Sequence, residues 1–285
     1  MSQLRKATRK KAKIRLGLSA VSGGGKTMSA LLIAYGLCGD WSKIALIDTE
    51  NGSGDLYAHL GDYNILPLQA PFAPEKYIEA IQDCEGAGME VIIIDSITHE
   101  WDSRGGILDI SNSMTGNSYT NWAKITPRHQ AFLDSILQSK CHIITTVRRK
   151  QDYEMITNDK GKLTPVKIGL KEVTREGYEY ELTINLELDV KHMATASKDR
   201  TGLFAGKPEF IPSEETGKLI KEWCESGIDE RELVISGLID CDNRESLTAL
   251  YNQYKTTIDN DSELMAQFKA KGEEYPKPQI NEPAK

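Results

Sequence analysis

Apolar positions along this chain fall into two rhythms. Ile14–Ala20, Lys43–Asp48, Val91–Asp95 and Cys141–Val147 are short aliphatic runs bounded by polar or glycine-rich turns. Runs of that length and β-branched content predict buried strands. Val91–Asp95 (VIIID) is the strongest of them and ends in an acid. Between them, Met28–Leu37, Glu75–Glu85 and roughly Trp122–Ser139 carry helical spacing, with Pro127 expected within the first turn of the last, where a proline is accommodated. Ser103–Asn121 is rich in Gly, Ser and Asn and reads as a connecting stretch. Strands alternating with helices predict an α/β fold with a mainly parallel sheet and helices on both faces.

Beyond Arg148 the texture changes. Tyr153–Ile168 reads as a β-hairpin turning at 158–161, and Tyr178–Ala196 as long alternating strands. Ser213 is placed to cap a helix running to about Glu225, and Ser226-Gly227 is a natural stop. Residues 229–275 hold short amphipathic helices, in which Leu247, Leu250, Tyr251, Tyr254 and Ile258 keep the spacing of a small bundle. The expected organisation is a basic flexible arm (1–13), a core (14–226), a small C-terminal helical module (229–275) and a disordered, proline-containing tail (276–285).

Composition narrows the class. Apolar residues make up 39% and charged residues 27%, a globular balance. No apolar run approaches the ~20 residues of a membrane span, so neither anchor nor leader is expected. The five cysteines form no CxxC or Cys/His cluster, which argues against a zinc site or a disulfide framework and for buried thiols in a reducing cytoplasm. Net charge is −7, yet residues 1–15 hold Arg5, Lys6, Arg9, Lys10, Lys11, Lys13 and Arg15 with no acid. Such a block attracts a phosphate backbone or is simply a solvated arm.

The chemistry begins where the first strand meets the first helix. Ala20-Val-Ser22-Gly23-Gly24-Gly25-Lys26-Thr27 follows the phosphate-loop pattern G-x-x-x-x-G-K-[ST], with Ala20 in place of the first glycine. Backbone N–H groups from Ser22 to Met28 are expected to cradle the phosphates of ATP, and Lys26 to reach the β- and γ-phosphates. The Thr27 hydroxyl is expected to ligate Mg²⁺, with Asp95 as the second metal-side acid at the C-terminal edge of its strand.

Glu50 lies just past the strand that follows the phosphate-loop helix, in KIALIDTENGSGDLYAHLG. This order resembles the RecA family, and the likeness extends through Asp55-Leu-Tyr57-Ala58, over about residues 14–225. The resemblance implies a RecA-like P-loop NTPase core with β-hairpin additions and a small C-terminal helical appendage, and makes Glu50 the residue that polarises the attacking water. Ser197-Lys198-Asp199-Arg200-Thr201-Gly202 resembles the segment that projects two cations into a neighbouring subunit's nucleotide, which assigns Lys198 and Arg200 as trans-acting fingers. Thr146 falls where the family places a polar sensor of the γ-phosphate. Within the group, Asp95-Ser-Ile-Thr98-His99-Glu-Trp101 and Arg175–Glu181 resemble short phage-encoded RecA-like ATPases linked to single-strand annealing and recombination. Arg175–Glu181 itself has no assigned role, and its alternating Tyr and Glu read as a strand with one wet face; His99 and Trp101 read as packing residues.

The resemblance also implies two DNA-facing loops. One is Ser103–Asn121, whose cation is Arg104; the other starts at Arg148-Arg149-Lys150 and continues through Lys160 and Lys162. Tyr119, Trp122 and Tyr153 are the rings available for base stacking. The expected activity is Mg-ATP hydrolysis stimulated by single-stranded DNA, in a homo-oligomeric ring or filament with ATP at subunit interfaces. Single-strand-binding or other replication proteins are the further partners implied, with no membrane and a cytoplasmic place in a bacterial host. A ring helicase or motor, a nucleotide-gated adaptor and a P-loop kinase are the competing classes.

Overall fold

In chain order the first elements are β1 (Arg15–Ala20), α1 (Lys26–Cys38), β2 (Ile44–Asp48), β3 (Asn64–Pro67), α2 (Pro74–Gly86), β4 (Val91–Asp95), α3 (Thr98–Asp102), α4 (Ile107–Ser113) and α5 (Ser118–Gln138). They continue with β5 (His142–Thr157), β6 (Leu163–Glu172), α6 (Tyr178–Glu181), β7 (Ile184–Leu188), β8 (Ala194–Asp199) and α7 (Glu214–Glu225). The computed structural model describes residues 7, 9–157 and 163–275. Lys160, Lys162 and the expected turn at 158–161 lie outside the described residues. The chain divides into two compact units, Lys13–Trp223 and a second that joins residues up to Ala12 with Cys224 onward.

In the larger unit the strand order is β3-β2-β4-β5-β1-β7-β8, with β6 paired to β5. Every pairing from β3 to β7 is parallel; β8 and β6 run antiparallel to their neighbours. The α/β fold with a mainly parallel sheet and helices is thus as the hydrophobic rhythm predicts. Ile92 and Ile94 of β4 point to one face, where they join Tyr77 and Ile81 of α2 and Phe132 and Ile136 of α5 in a fully buried cluster. Apolar side chains removed from water at this density are the main favourable term in the fold. α1 packs on β4 and β5 and is closely approached by α7: a Cβ on Gly36 would stand 2.0 Å from the Glu214 carbonyl oxygen and 2.8 Å from the Gly217 Cα. Only glycines let two helix backbones come that near.

Several local expectations change. The Gly/Ser/Asn-rich stretch 103–121 contains α4 and the first turn of α5, begun by Asn117, whose side chain accepts from the Tyr119 N–H. Pro127 lies well inside α5 and not in its first turn. Burial of Phe132, Leu133 and Ile136 further along offsets the lost backbone bond. β5 does not stop at Val147; it runs on to Thr157 and is itself the first strand of the hairpin. β3, a short strand with exposed or half-exposed side chains, has no counterpart in the expected elements. Arg175–Glu181 is no strand: Gly177, at φ 88, starts the short helix α6, which buries Tyr178 and leaves Tyr180 exposed. The long strands expected over 178–196 are β7 and β8, joined by a turn in which the Asp189 carboxylate accepts the N–H groups of Lys191 and Met193.

The smaller unit consists of α8 (Glu230–Asp240), α9 (Arg244–Gln253), α10 (Lys255–Asp259) and α11 (Ser262–Glu273) around Val234, Leu238, Leu247, Ile258, Leu264 and Phe268. Residues 9–12, expected in a free basic arm, instead lie along this unit. Lys11 N–H donates to the Ile228 carbonyl at 3.0 Å, Ile228 N–H to Arg9 at 2.8 Å and Ala12 N–H to Cys224 at 3.1 Å. Lys10 and Lys11 pair with Glu230 and Asp229. Such solvent-screened pairs contribute little, so the backbone bonds do the fixing. Among the described residues no helix is long and apolar enough to cross a membrane.

Candidate functional site

β1 is buried throughout and delivers the chain to the C-terminal edge of the sheet, where residues 21–25 turn sharply into α1. Gly25 caps α1 in the left-handed region, φ 83, and no side chain caps the first turn. The first N–H groups of the helix therefore point into the turn, and the positive end of the helix dipole faces the same way. A Cβ on Gly25 would stand 2.7 Å from Nδ1 of His192, which reaches over the loop from the β7–β8 turn.

Two charged side chains are buried beside this turn. Lys26 is 8% exposed, and its ammonium donates only to the carbonyls of Ala20 and Val21, at 3.4 and 3.2 Å. Burial pulls its pKa below the usual lysine value, opposed by Asp95 and Glu50 and assisted by Arg148. Asp95, 1% exposed, accepts from the Thr27 hydroxyl at 2.6 Å and from the Thr146 hydroxyl at 2.5 Å. Burial raises its pKa, with the two hydroxyls pulling the other way. Parallel pairing of β2, β4 and β5 sets Asp48, Asp95 and Thr146 along one sheet edge.

Glu50 follows β2 and is aimed by Asp48, whose carboxylate accepts the N–H groups of Glu50 at 2.6 Å and Gly54 at 3.1 Å. Its Oε1 accepts from Arg148 Nε at 3.0 Å and lies 2.8 Å from Nη2 of the same guanidinium in an ion pair. Between Asp48 and Glu50, Thr49 Oγ1 accepts the Ser96 N–H and lies 2.6 Å from Nδ1 of His99, so the loops after β2 and β4 are tied together. Glu50 and Arg148 border a cavity of about 600 Å³ whose walls include Ser22, Lys26, Met28, Tyr57, His192 and Ile211. That volume suits a nucleotide-sized ligand.

The residues present fit a nucleoside triphosphate with magnesium. An uncapped helix start, a buried lysine held only by carbonyl oxygens, and a hydroxyl–carboxylate pair supply the donors and hard oxygen ligands such a ligand needs. Lys26 and the N–H groups from Ser22 to Met28 would hold phosphate; Thr27 and Asp95 would hold the ion.

The other expected site residues lie elsewhere. In register, Ile184 of β7 pairs with both Leu16 at the start of β1 and Asp199 at the end of β8. Lys198 and Arg200 therefore lie at the N-terminal edge of the sheet, opposite the phosphate loop. Lys198 Nζ donates to the carbonyls of Glu179 and Tyr180, and Arg200 to that of Tyr180 at 2.8 Å. Of the expected DNA contacts, Arg149 pairs with Glu187 at 2.6 Å and Lys150 with Asp102 at 3.8 Å, while Arg104 is exposed. Arg148 lines the same cavity as Lys26 and Glu50. His99 and Trp101 pack as expected: His99 stacks on Phe72, and Trp101 lies 6.0 Å from Trp122. Tyr119 is exposed, and the Tyr153 side chain lies outside the described residues.

Sequence reasoning missed His192 and the cavity-side position of Arg148. His192 sits in what reads as a polar turn, and only the β7–β8 pairing brings it over Gly25. For Arg148 one signal was present: Val147 continues the buried run, so the next residue is still in the sheet. A family model described as an AAA domain matches residues 12–211. No curated protein matches the chain.

Proposed function

The chain belongs to this AAA domain family, a family of P-loop ATPases, and from that premise we propose that it is a Mg-ATP-dependent oligomeric ATPase of RecA-like type acting on single-stranded DNA in phage recombination, annealing or replication. The observation that carries the reading is the division of cationic and catalytic groups between two edges of one sheet. Gly23–Thr27, Asp95 and Glu50 occupy one edge; Lys198 and Arg200 occupy the other. A chain with donor and acceptor halves at opposite edges suits head-to-tail contacts, which close into rings or extend into filaments.

When bound, the magnesium triphosphate supplies an activated phosphorus and a counter-charge for the leaving group. The remaining roles belong to the chain. Lys26 and the helix start hold the phosphates, Glu50 orients water by accepting its proton's hydrogen bond, and Thr146 links Asp95 to β5. A neighbour's Lys198 and Arg200 would leave the Tyr180 carbonyl to stabilise the charge that develops on the transferring group. The hairpin of β5 and β6, carrying Lys150, Lys167 and Lys171, is the proposed path of the nucleic acid.

The test is ATP hydrolysis with and without single-stranded DNA, at two salt concentrations and over a range of protein concentration. The expected result is stimulation that weakens with salt and rises steeply with protein concentration. Hydrolysis indifferent to both DNA and protein concentration would overturn the reading.

A further inference from the structure

His192 borders the cavity but takes no part in the chemistry assigned to Lys26, Thr27 and Glu50. It belongs to the β7–β8 turn, where its φ of 65 lies in the left-handed region. A residue with a Cβ is disfavoured there, and such a position persists only where its surroundings fix it. Four bonds do so here. The Asp189 carboxylate accepts the N–H groups of Lys191 and Met193, each at 2.8 Å. Asp189 N–H donates to the Met193 carbonyl at 3.0 Å, and His192 N–H to the Asp189 carbonyl at 3.1 Å. Glycine would meet that φ without strain, so the turn itself gives no reason for an imidazole.

The position of the ring supplies the reason. Its Nδ1, Cγ and Cε1 stand 2.7, 3.3 and 3.5 Å from where a Cβ on Gly25 would be, so it lies on the last glycine before Lys26. The Asp189 carbonyl oxygen is 3.7 Å from the corresponding point on Gly24, so the backbone of the turn follows the loop as well. The His192 side chain is exposed, and among the described residues it makes no hydrogen bond or ion pair. In either protonation state an imidazole has an N–H to donate.

Sheet order decides which part of a nucleotide that N–H meets. β1 lies between β5 and β7. Glu50, Asp95 and Arg148 come from β2, β4 and β5 or the residues that follow them, on one side of the loop; His192 comes from the other. The terminal phosphate is the one that water attacks, so it belongs on the Glu50 side. His192 is left with the phosphates nearer the nucleoside.

We propose that His192 binds phosphate in the nucleotide site: its imidazole N–H donates to the phosphates that di- and triphosphates share, closing the loop from the side opposite Glu50. It therefore grips substrate and product equally, and holds the diphosphate in place after the terminal phosphate has gone. The proposal rests on the cavity taking ATP, and it stands apart from the action on DNA.

The experiment is calorimetric binding of ADP, of a non-hydrolysable ATP analogue and of inorganic pyrophosphate, each with magnesium, to the full chain and to His192→Gly, His192→Gln and Lys26→Ala. Glycine relieves the backbone strain, so His192→Gly without ligand should keep or raise the thermal midpoint. It should nonetheless weaken all three ligands about tenfold, the loss of one hydrogen bond to a charged group, and leave the ratio of analogue to ADP affinity unchanged. His192→Gln keeps an N–H donor and should fall between. Unchanged affinities in a folded His192→Gly protein would overturn the proposal. So would a loss confined to the analogue, or one that spares pyrophosphate and so puts the ring on the nucleoside. If His192→Gly does not fold, His192→Ala decides on the same outcomes. Lys26→Ala separates the two levels: unaltered nucleotide binding there would remove the nucleotide site itself. If Lys26→Ala abolishes binding and His192→Gly does not weaken it, only the role of His192 falls.

Discussion

The two edges of the sheet use cations differently. At the C-terminal edge, Arg148 pairs with the Glu50 carboxylate, and Lys26, resting on the Ala20 and Val21 carbonyls, lines the same cavity. At the N-terminal edge, Lys198 and Arg200 are folded back onto the carbonyls of a short helix, and Arg15 donates to the carbonyls of Cys141 and Ser139. The first arrangement stores charge for an incoming anion. The second satisfies charge with main-chain oxygen, which costs little and can be given up to a stronger acceptor. The difference teaches that a cation's role depends on what it holds at rest as much as on where it lies.

Substitutions can break this comparison. Lys26→Ala should give the largest effect, abolishing tight ATP binding and turnover together, as read by calorimetry and phosphate release. Arg200→Ala should next lower turnover by about 10³-fold, the range of an arginine finger, while ATP affinity at its own loop stays intact. Mixing it with Lys26→Ala should restore part of the turnover, because each supplies the half-site the other lacks; no rescue at any ratio would place Arg200 outside a neighbour's site. Glu50→Gln should cost about 10²-fold in turnover with binding retained. Full turnover in that variant would remove Glu50 from the chemistry.

A smaller effect sharpens the contrast through pH. His142, near the N-terminal edge, is buried and neutral, accepts the Ile14 N–H, and has its pKa pushed down to about 3 by burial, with Lys13, Arg15 and Lys221 adding to it. The unfolded chain takes up the proton near pH ~6.5 and the folded chain does not. Stability from this group is complete above pH ~6.5 and falls by up to about 1.4 kcal/mol per pH unit as pH drops towards 3. Asp95, at the other edge, has a raised pKa, so its burial penalty is present at neutral pH and is relieved by acid. Thermal unfolding from pH 7 to 4 should therefore show a steep decline that His142→Asn flattens; an unchanged slope would clear His142 of the effect.

The parallel core was legible because Val91–Asp95 and Cys141–Val147 are aliphatic enough to exclude any other element. The phosphate loop was legible because its glycines and Lys26-Thr27 have a fixed spacing along the chain. What escaped depends on register and turns. Nothing local in Arg148 separates it from Arg149, yet one faces Glu50 and the other Glu187, since neighbouring residues of a strand point to opposite faces. The β3 strand escaped because a short edge strand with wet side chains carries little apolar signal. Pro127 misled because tertiary burial overrides propensity within α5.

β5 has a mechanical consequence. The same strand places Thr146 on Asp95 and Arg148 on Glu50, then continues without a break in pairing direction to Thr157. From Arg148 to that end is about 30 Å of extended chain. Its one irregularity is the register shift at Asp152/Tyr153. A strand of this kind acts as a stiff lever whose short arm is seated on the Asp95 and Glu50 carboxylates. A pull on the far end of β5 applies torque at Thr146 and Arg148, and a change in either residue's partner is felt as displacement at Thr157.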